Sequence, residues 1–176
     1  MNIVEIWPHG DGFTDREAFE KLYYGSFPEN ELRDLNDLMQ DKSGAVEFIA
    51  LYEGGVFTGF MTLLITSDIA HIIYFAIEEN LRGRGCGSRA LNAAAQRYPG
   101  RRIIVDVELP AENAPNRAER EKRVAFYKHN GYEETEVRYT WRGEDYVILS
   151  FGGTVTDADW HAFWRELDEV PNLELF

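Results

Sequence analysis

The chain has 176 residues, 44% hydrophobic and 28% charged, with 31 acidic against 18 basic side chains and a net charge of −13. This length suits one domain that buries its core without disulfides or metals, and the lone cysteine, Cys86, fits a reducing, cytoplasmic setting. The acidity excludes general nucleic-acid binding, no apolar run is long enough to span a bilayer, and the segment MNIVEIWPHGDGF lacks the basic and apolar regions of a secretory signal.

Asn2 to Trp7 alternates weakly and reads as a first strand. Thr14-Asp15-Arg16-Glu17 has the capping-box pattern and starts a helix toward Tyr24. Pro28 interrupts it, and Glu29 to Gln40 reads as a second helix, with Leu32, Leu35, Leu38 and Met39 on one face. Val46 to Tyr52 and Val56 to Ile65 are strands joined at Glu53-Gly54-Gly55, a hairpin signal. Ile69 to Ile77 is apolar throughout, as a strand buried on both faces would be.

Beyond a short acidic turn, Ala90, Leu91, Ala94, Ala95 and Tyr98 recur at helical spacing until Pro99-Gly100. Ile103 to Leu109 is a strand and Pro110 to Pro115 a loop. Asn116 or Arg117 opens a charged helix that reaches Asn130, and Gly131 suits a left-handed position after its end. Glu133 to Trp141 and Tyr146 to Phe151 form a hairpin around Arg142-Gly143-Glu144-Asp145. After Gly152-Gly153, Thr156 can cap a last helix with Trp160, Phe163, Trp164 and Leu167 on one face. The plain expectation is a helix laid on the sheet; the sharper ones are a dimer contact or a wall of an acceptor pocket. The order βααβββαβαββ plus a C-terminal helix defines a mixed α/β domain over residues 1–151, with residues 152–176 as a helical extension packed on it.

The informative segment is the strand Ile69–Ile77 and the loop Arg82-Gly83-Arg84-Gly85-Cys86-Gly87 after it, followed at once by a helix. A glycine-rich loop at a helix N-terminus binds phosphate through main-chain N–H groups. Between Asn80 and Val105 there is no Asp or Glu, yet Arg82, Arg84, Arg89, Arg97, Arg101 and Arg102 all fall there. The backbone from Arg84 to Ser88 is therefore the candidate phosphate cradle, with Arg82, Arg84 and Arg89 as charge-assisted donors.

The spacing of Arg82, Gly85 and Gly87 resembles the acetyl-CoA loop of the GNAT superfamily of N-acetyltransferases. Tyr127, Gly131 and Tyr132, within Phe126-Tyr127-Lys128-His129-Asn130-Gly131-Tyr132, resemble that family's second landmark. The resemblance covers roughly residues 1–150. It implies a central mixed, mostly antiparallel sheet flanked by helices, acetyl-CoA as co-substrate with no metal, and direct transfer to an amine. Many members carry an Asn seven residues before the tyrosine, where this chain has Arg120, so no cofactor role passes to that position. The resemblance further implies an oxyanion donor among the main-chain N–H groups of Phe75 to Ile77, so Ala76 and Ile77 join Arg82, Arg84, Gly85, Cys86, Gly87, Ser88 and Tyr127 as cofactor-binding candidates. Tyr127 is placed like the family's general acid.

Full proton transfer from a free tyrosine to a thiolate is uphill by ~2 kcal/mol, so Tyr127 acts chiefly as a hydrogen-bond donor unless a cation such as Lys128 lowers its pKa. For the base that takes the amine proton, Glu108 comes first, late on its strand, and Asp106 shares its face; Glu78, Glu79, His71 and a water chain are alternatives. The acidic total is compatible with a cationic acceptor, although net charge speaks first to solubility. The acceptor is a small amine or a peptide amine.

Two other readings compete. Gly85-x-Gly87-x-x-Ala90 with Asp106 downstream also fits a dinucleotide fingerprint and hence an NAD-dependent oxidoreductase. Against it, Glu78 to Arg84 separate strand from glycine, and the upstream strands are hairpin-linked. A CoA-binding sensor that performs no transfer is the other.

Overall fold

The computed structural model describes residues 1–7, 13–29, 31–39, 43–110, 114–170 and 173. Seven strands form one sheet in the order β1-β2-β3-β4-β5-β7-β6. These are β1 (Asn2–Trp7), β2 (Val46–Glu53), β3 (Val56–Ile65), β4 (Ile69–Ile77), β5 (Arg102–Glu108), β6 (Glu133–Trp141) and β7 (Glu144–Phe151). Every neighbouring pair is antiparallel except β4 and β5. The helices are α1 (Arg16–Ser26), α2 (Leu35–Leu38), α3 (Cys86–Arg97), α4 (Arg117–His129) and α5 (Asp157–Asp168). A sheet with one parallel pair is not doubly wound, so the dinucleotide-fold reading falls.

Two apolar layers cover the sheet. On one face Phe19, Leu22 and Tyr23 of α1, Leu35 and Leu38 of α2, and Phe163 and Leu167 of α5 pack on Phe48, Phe60, Leu64 and Ile148. On the other, Cys86, Ala90, Leu91 and Ala94 of α3 and Tyr127 of α4 pack on Met61, Leu63, Ile72, Val105 and Leu149. Each fully buried Phe, Leu or Ile removes enough apolar surface to contribute about 1.5–3 kcal/mol.

Three expectations need correction. The capping box at Thr14 is not made: α1 begins after Asp15, whose carboxylate instead accepts the Tyr52 hydroxyl at 2.5 Å. The second helix shrinks from Glu29–Gln40 to Leu35–Leu38, with Gln40 outside the described residues. Tertiary hydrogen bonds take the carbonyls that such a helix needs: Tyr74 donates to the Glu31 carbonyl at 2.7 Å and Tyr23 to the Arg33 carbonyl at 3.0 Å. Asp34 then caps the short helix, accepting from the Asn36 N–H at 2.7 Å. The expected strand Tyr146–Phe151 starts earlier, at Glu144, because Arg142 and Gly143 alone make the turn with positive φ.

The feature that positions the site is a split in the sheet. β4 and β5 pair only from Ile69↔Arg102 to Ile72↔Val105. Beyond that, β4 stays with β3 while Asp106, Val107 and Glu108 follow β7. The split starts at a bulge: Leu63 faces Ile72 and Thr62 faces Tyr74, leaving Ile73 as the extra residue. Ile73 and Tyr74 consequently both pack toward the α1 layer, and strand alternation restarts one residue out of phase. Gly59 lets β3 follow this path, since a Cβ there would lie 2.2 Å from the Ala76 carbonyl oxygen.

Candidate active site

A cavity of about 1160 Å³ runs through the split. On the α3/α4 side it is lined by Arg82, Gly83, Gly85, Gly87, Ser88, Phe126 and Tyr127. On the α1/α5 side it is lined by Phe27, Glu31, His71, Tyr74, Tyr139 and Trp160. The two sides meet where β4 and β5 part.

The loop behaves as its composition suggests. Gly85, at φ 76°, turns the chain into α3, whose first turn has no acidic residue and no side-chain cap. The N–H groups of Cys86, Gly87 and Ser88 are left for an anion from outside the helix. A Cβ on Gly87 would lie 3.0 Å from the Phe126 ring, so the α3 start and α4 pack closely at this point. Cys86 is buried, with its thiol next to Glu53 and Arg89, and does not line the cavity.

The arginines divide. Arg82 lines the cavity, and its Nε donates to the Ile77 carbonyl at 3.0 Å, fastening the loop to the end of β4. Arg84 is exposed beside it. Arg89 does not point at the loop's anion site: its guanidinium is held by Glu53 and by the Arg84 carbonyl. Arg97 pairs with Glu47 and Glu5, Arg101 donates to the Thr66 carbonyl, and Arg102 pairs with Asp68 and Asp159. The gap in acidity is a gap in sequence alone, since distant carboxylates fold onto it.

Strand alternation settles which β4 amides are open. The Glu78 N–H donates to the Thr58 carbonyl of β3, so the Ala76 and Tyr74 main chains also face β3. Phe75 and Ile77 therefore present their N–H groups to the split. Of the expected range Phe75 to Ile77, Phe75 and Ile77 turn their N–H groups to the split and Ala76 turns its own to β3.

Tyr127 lies in the last turn of α4, buried but lining the cavity, and its hydroxyl has no hydrogen-bond partner among the described residues. Burial pushes its pKa well above the ordinary tyrosine value; Arg123 opposes that shift and Asp106 adds to it. The expected cation, Lys128, is instead paired with Glu134 at 3.1 Å. Tyr127 is thus a neutral hydrogen-bond donor.

Glu108 also lines the cavity, with its carboxylate held by Arg120 and by Arg123, each at 3.2 Å. Arg120 is buried and also reaches Asn116, the Leu109 carbonyl and Glu144, tying α4 to the ends of β5 and β7. That is the work of the residue standing in the asparagine position, and it touches no part of the loop. Asp106 accepts from Tyr139 at 2.6 Å and contacts His71 Nε2 at 2.8 Å. Burial works against ionisation of its carboxyl, but His71 and Tyr139 outweigh it and hold the pKa below the usual carboxylate range. Glu78 and Glu79 lie at the short turn after β4 and do not line the cavity.

Sequence reasoning passed over Glu31. It lines the cavity, and its carboxyl is raised above the usual range by burial and by the nearby Glu108 and Asp106 charges, against Arg123 and Arg120. Its position in a presumed helix concealed it. Tyr139 and Tyr146 were missed as well; the stacking of their rings at 5.2 Å depends on the β6–β7 register and on no local motif.

The sheet split, the loop at the α3 N-terminus and Tyr127 line one cavity. The sequence profile of the acetyltransferase (GNAT) family matches residues 16–132, and the chain belongs to that family of acetyl-CoA-dependent acetyltransferases. A search of curated proteins returned no match.

Among solved structures, a GNAT-family putative acetyltransferase from Bacteroides thetaiotaomicron superposes with a TM-score of 0.75 at 21% identity, covering 99% of each chain. The ribosomal-protein-S18-alanine N-acetyltransferase of Escherichia coli gives 0.58 at 16% identity, over 88% of this chain and 95% of that one. A GNAT-family acetyltransferase from Elizabethkingia anophelis with acetyl-CoA bound gives 0.55 at 14%, over 85% and 96%. At such identities the likeness is one of fold. Among the described residues, no helix is long and apolar enough to cross a membrane, and no three His, Cys, Asp or Glu side chains gather as a metal site.

Proposed function

We propose that the protein is a cytoplasmic N-acetyltransferase that moves the acetyl group of acetyl-CoA to a primary amine by direct attack in a ternary complex. The observation that carries this reading is the opening between β4 and β5, with an uncapped helix start at one mouth and the unpartnered Tyr127 hydroxyl inside. Residues 1–151 form the transferase domain, and the extension from 152 walls the acceptor side.

The pyrophosphate of CoA sits on the N–H groups of Gly85, Cys86, Gly87 and Ser88, with Arg82 and Arg84 on its flanks. The pantetheine arm enters the split along Phe75 and Ile77, and one of their N–H groups faces the thioester carbonyl. A donor aimed at the developing oxyanion is worth about 3 kcal/mol at the transition state. Attack by the amine forms the new C–N bond, and collapse of the tetrahedral adduct breaks the C–S bond. The Tyr127 hydroxyl stabilises the departing thiolate by hydrogen bonding.

The proton lost from the amine goes to a carboxylate facing the acceptor side. Glu31 suits that task better than Glu108, because both Glu108 oxygens are already engaged by Arg120 and Arg123.

Calorimetry with CoA, followed by a thiol-release assay over a panel of amines, tests the reading. Acetyl-CoA-dependent release with an amine is expected, and absence of CoA binding would overturn it. CoA binding without release for any amine would favour the sensor alternative.

A further inference from the structure

The acceptor side of the cavity is unusually rich in rings for a site expected to take a polar amine. Phe27, Tyr74, Tyr139, Trp141, Tyr146 and Trp160 all line it. Three of them belong to a near-parallel column that crosses β7, β6 and α5: Tyr146 to Tyr139 at 5.2 Å and 12°, then Tyr139 to Trp160 at 5.7 Å and 24°. Phe163 continues the column beneath Trp160, 5.6 Å away and 7° from parallel. The column is braced from below and has little freedom to rearrange.

The polar groups on this side are mostly spent. Both oxygens of Asp106 are engaged, by His71 and Tyr139, and both oxygens of Glu108 by Arg120 and Arg123. The Tyr74 hydroxyl and the Glu31 carbonyl satisfy each other, as do the Tyr23 hydroxyl and the Arg33 carbonyl. Among the described residues, Glu31 is the carboxylate left open on this side; Glu119, which also lines the cavity, belongs to exposed α4 surface. One open carboxylate suits one ammonium, not the several of a polyamine.

Resting on the transferase reading above, we infer that the acceptor is a monoamine with an aromatic body: its nitrogen meets Glu31 and its ring packs on the Tyr146–Tyr139–Trp160 column. Rings that are already stacked meet a further ring edge to face, an arrangement that favours a flat aromatic body over a flexible alkyl chain. Arg33 stands on the same wall, so an aromatic amino acid and a simple arylalkylamine share the required chemistry.

The test is calorimetric binding of acceptors to the intact protein saturated with CoA, which needs no turnover. The probes are 2-phenylethylamine, phenylalanine, n-hexylamine, spermidine and an alanine-initiated tetrapeptide. At least one aromatic amine is expected to bind about tenfold more tightly than the other three. Whichever of the two binds better tells whether Arg33 is used. Parity with hexylamine, or a lead for spermidine or the peptide, would overturn the inference.

Trp160→Ala is expected to weaken the aromatic amine about tenfold with CoA affinity unchanged, and Trp160→Phe to restore much of it. An unchanged affinity in Trp160→Ala would also overturn the inference. If that variant fails to fold, Tyr146→Leu carries the same expectation. Should the protein not bind CoA, the transferase reading fails by itself, and the same titration on the free protein still decides which amine the column takes.

Discussion

The two ends of the cavity are built by different means. The α3/α4 end is made of main chain: amides at a helix start, open amides on β4 and a glycine loop contiguous in sequence. The acceptor end is made of side chains from the α1–α2 segment, β4, β5, β6, β7 and α5. A main-chain site depends on a few residues without a Cβ and, on the proposed reading, recognises the diphosphate of the cofactor. A side-chain site assembled from six segments can change its ligand without disturbing the first.

That contrast can be broken at several points. The largest effect is expected from Tyr127→Phe, which should lower kcat by about 100-fold while CoA affinity by calorimetry stays within a few-fold. A comparable loss of CoA affinity would make Tyr127 a wall of the cofactor site instead. Next comes Gly87→Val, whose branched side chain meets Phe126 and crowds the phosphate cradle. It should weaken CoA by about tenfold or more and spare acceptor binding. If acceptor binding fell equally, the two ends would not be separable.

The pH dependence sharpens the comparison. With Glu31 as base, turnover should rise with pH through a midpoint above the ordinary carboxylate range, and Glu31→Gln should remove that limb while Glu108→Gln should not. The sign for stability is opposite to that of a salt-bridged acid. The folded state holds the Glu31 proton more tightly than the unfolded chain does, so Glu31 costs stability once pH exceeds its unfolded pKa of about 4.3. Glu31→Gln should therefore melt slightly higher than the parent at neutral pH and lose that advantage in acid.

The smallest effect concerns α5. Thr156 and Asp159 form a capping box, and Asp159 is held well below the usual carboxylate range, first by Arg102 and then by Thr156. Thr156→Ala should cost about 1 kcal/mol in thermal or denaturant unfolding. The Asp159 contribution is present above its unfolded pKa of about 3.9 and fades as pH falls toward its depressed folded value.

The same contrast explains what could be read from the chain. All seven strands and the starts of α3 and α4 were legible, because alternation, glycine and helical spacing are local. The Arg82–Gly87 loop at a helix start was legible for the same reason, and the place of Tyr127 near the end of α4 followed from the family resemblance. The Glu29–Gln40 helix was misjudged because its leucines do have helical spacing, and only Tyr23 and Tyr74, from other elements, show where its carbonyls go. Glu108 looked available until the arginines of α4 reached it across the fold, and Arg89 looked free until Glu53 did. Charge pairing over long sequence separations leaves no local trace.

The extra residue at Ile73 carries a consequence of its own. Deleting that one position would return β4 to regular pleating, put Tyr74 and the residues after it in phase with Ile72, and let the ladder to β5 zip onward past Val105. The resulting sheet would be more regular and better hydrogen-bonded than the natural one, and it would have no doorway. On the proposed reading, catalysis depends on an interruption in the secondary structure, and a variant selected for thermal resistance alone would be under pressure to close it.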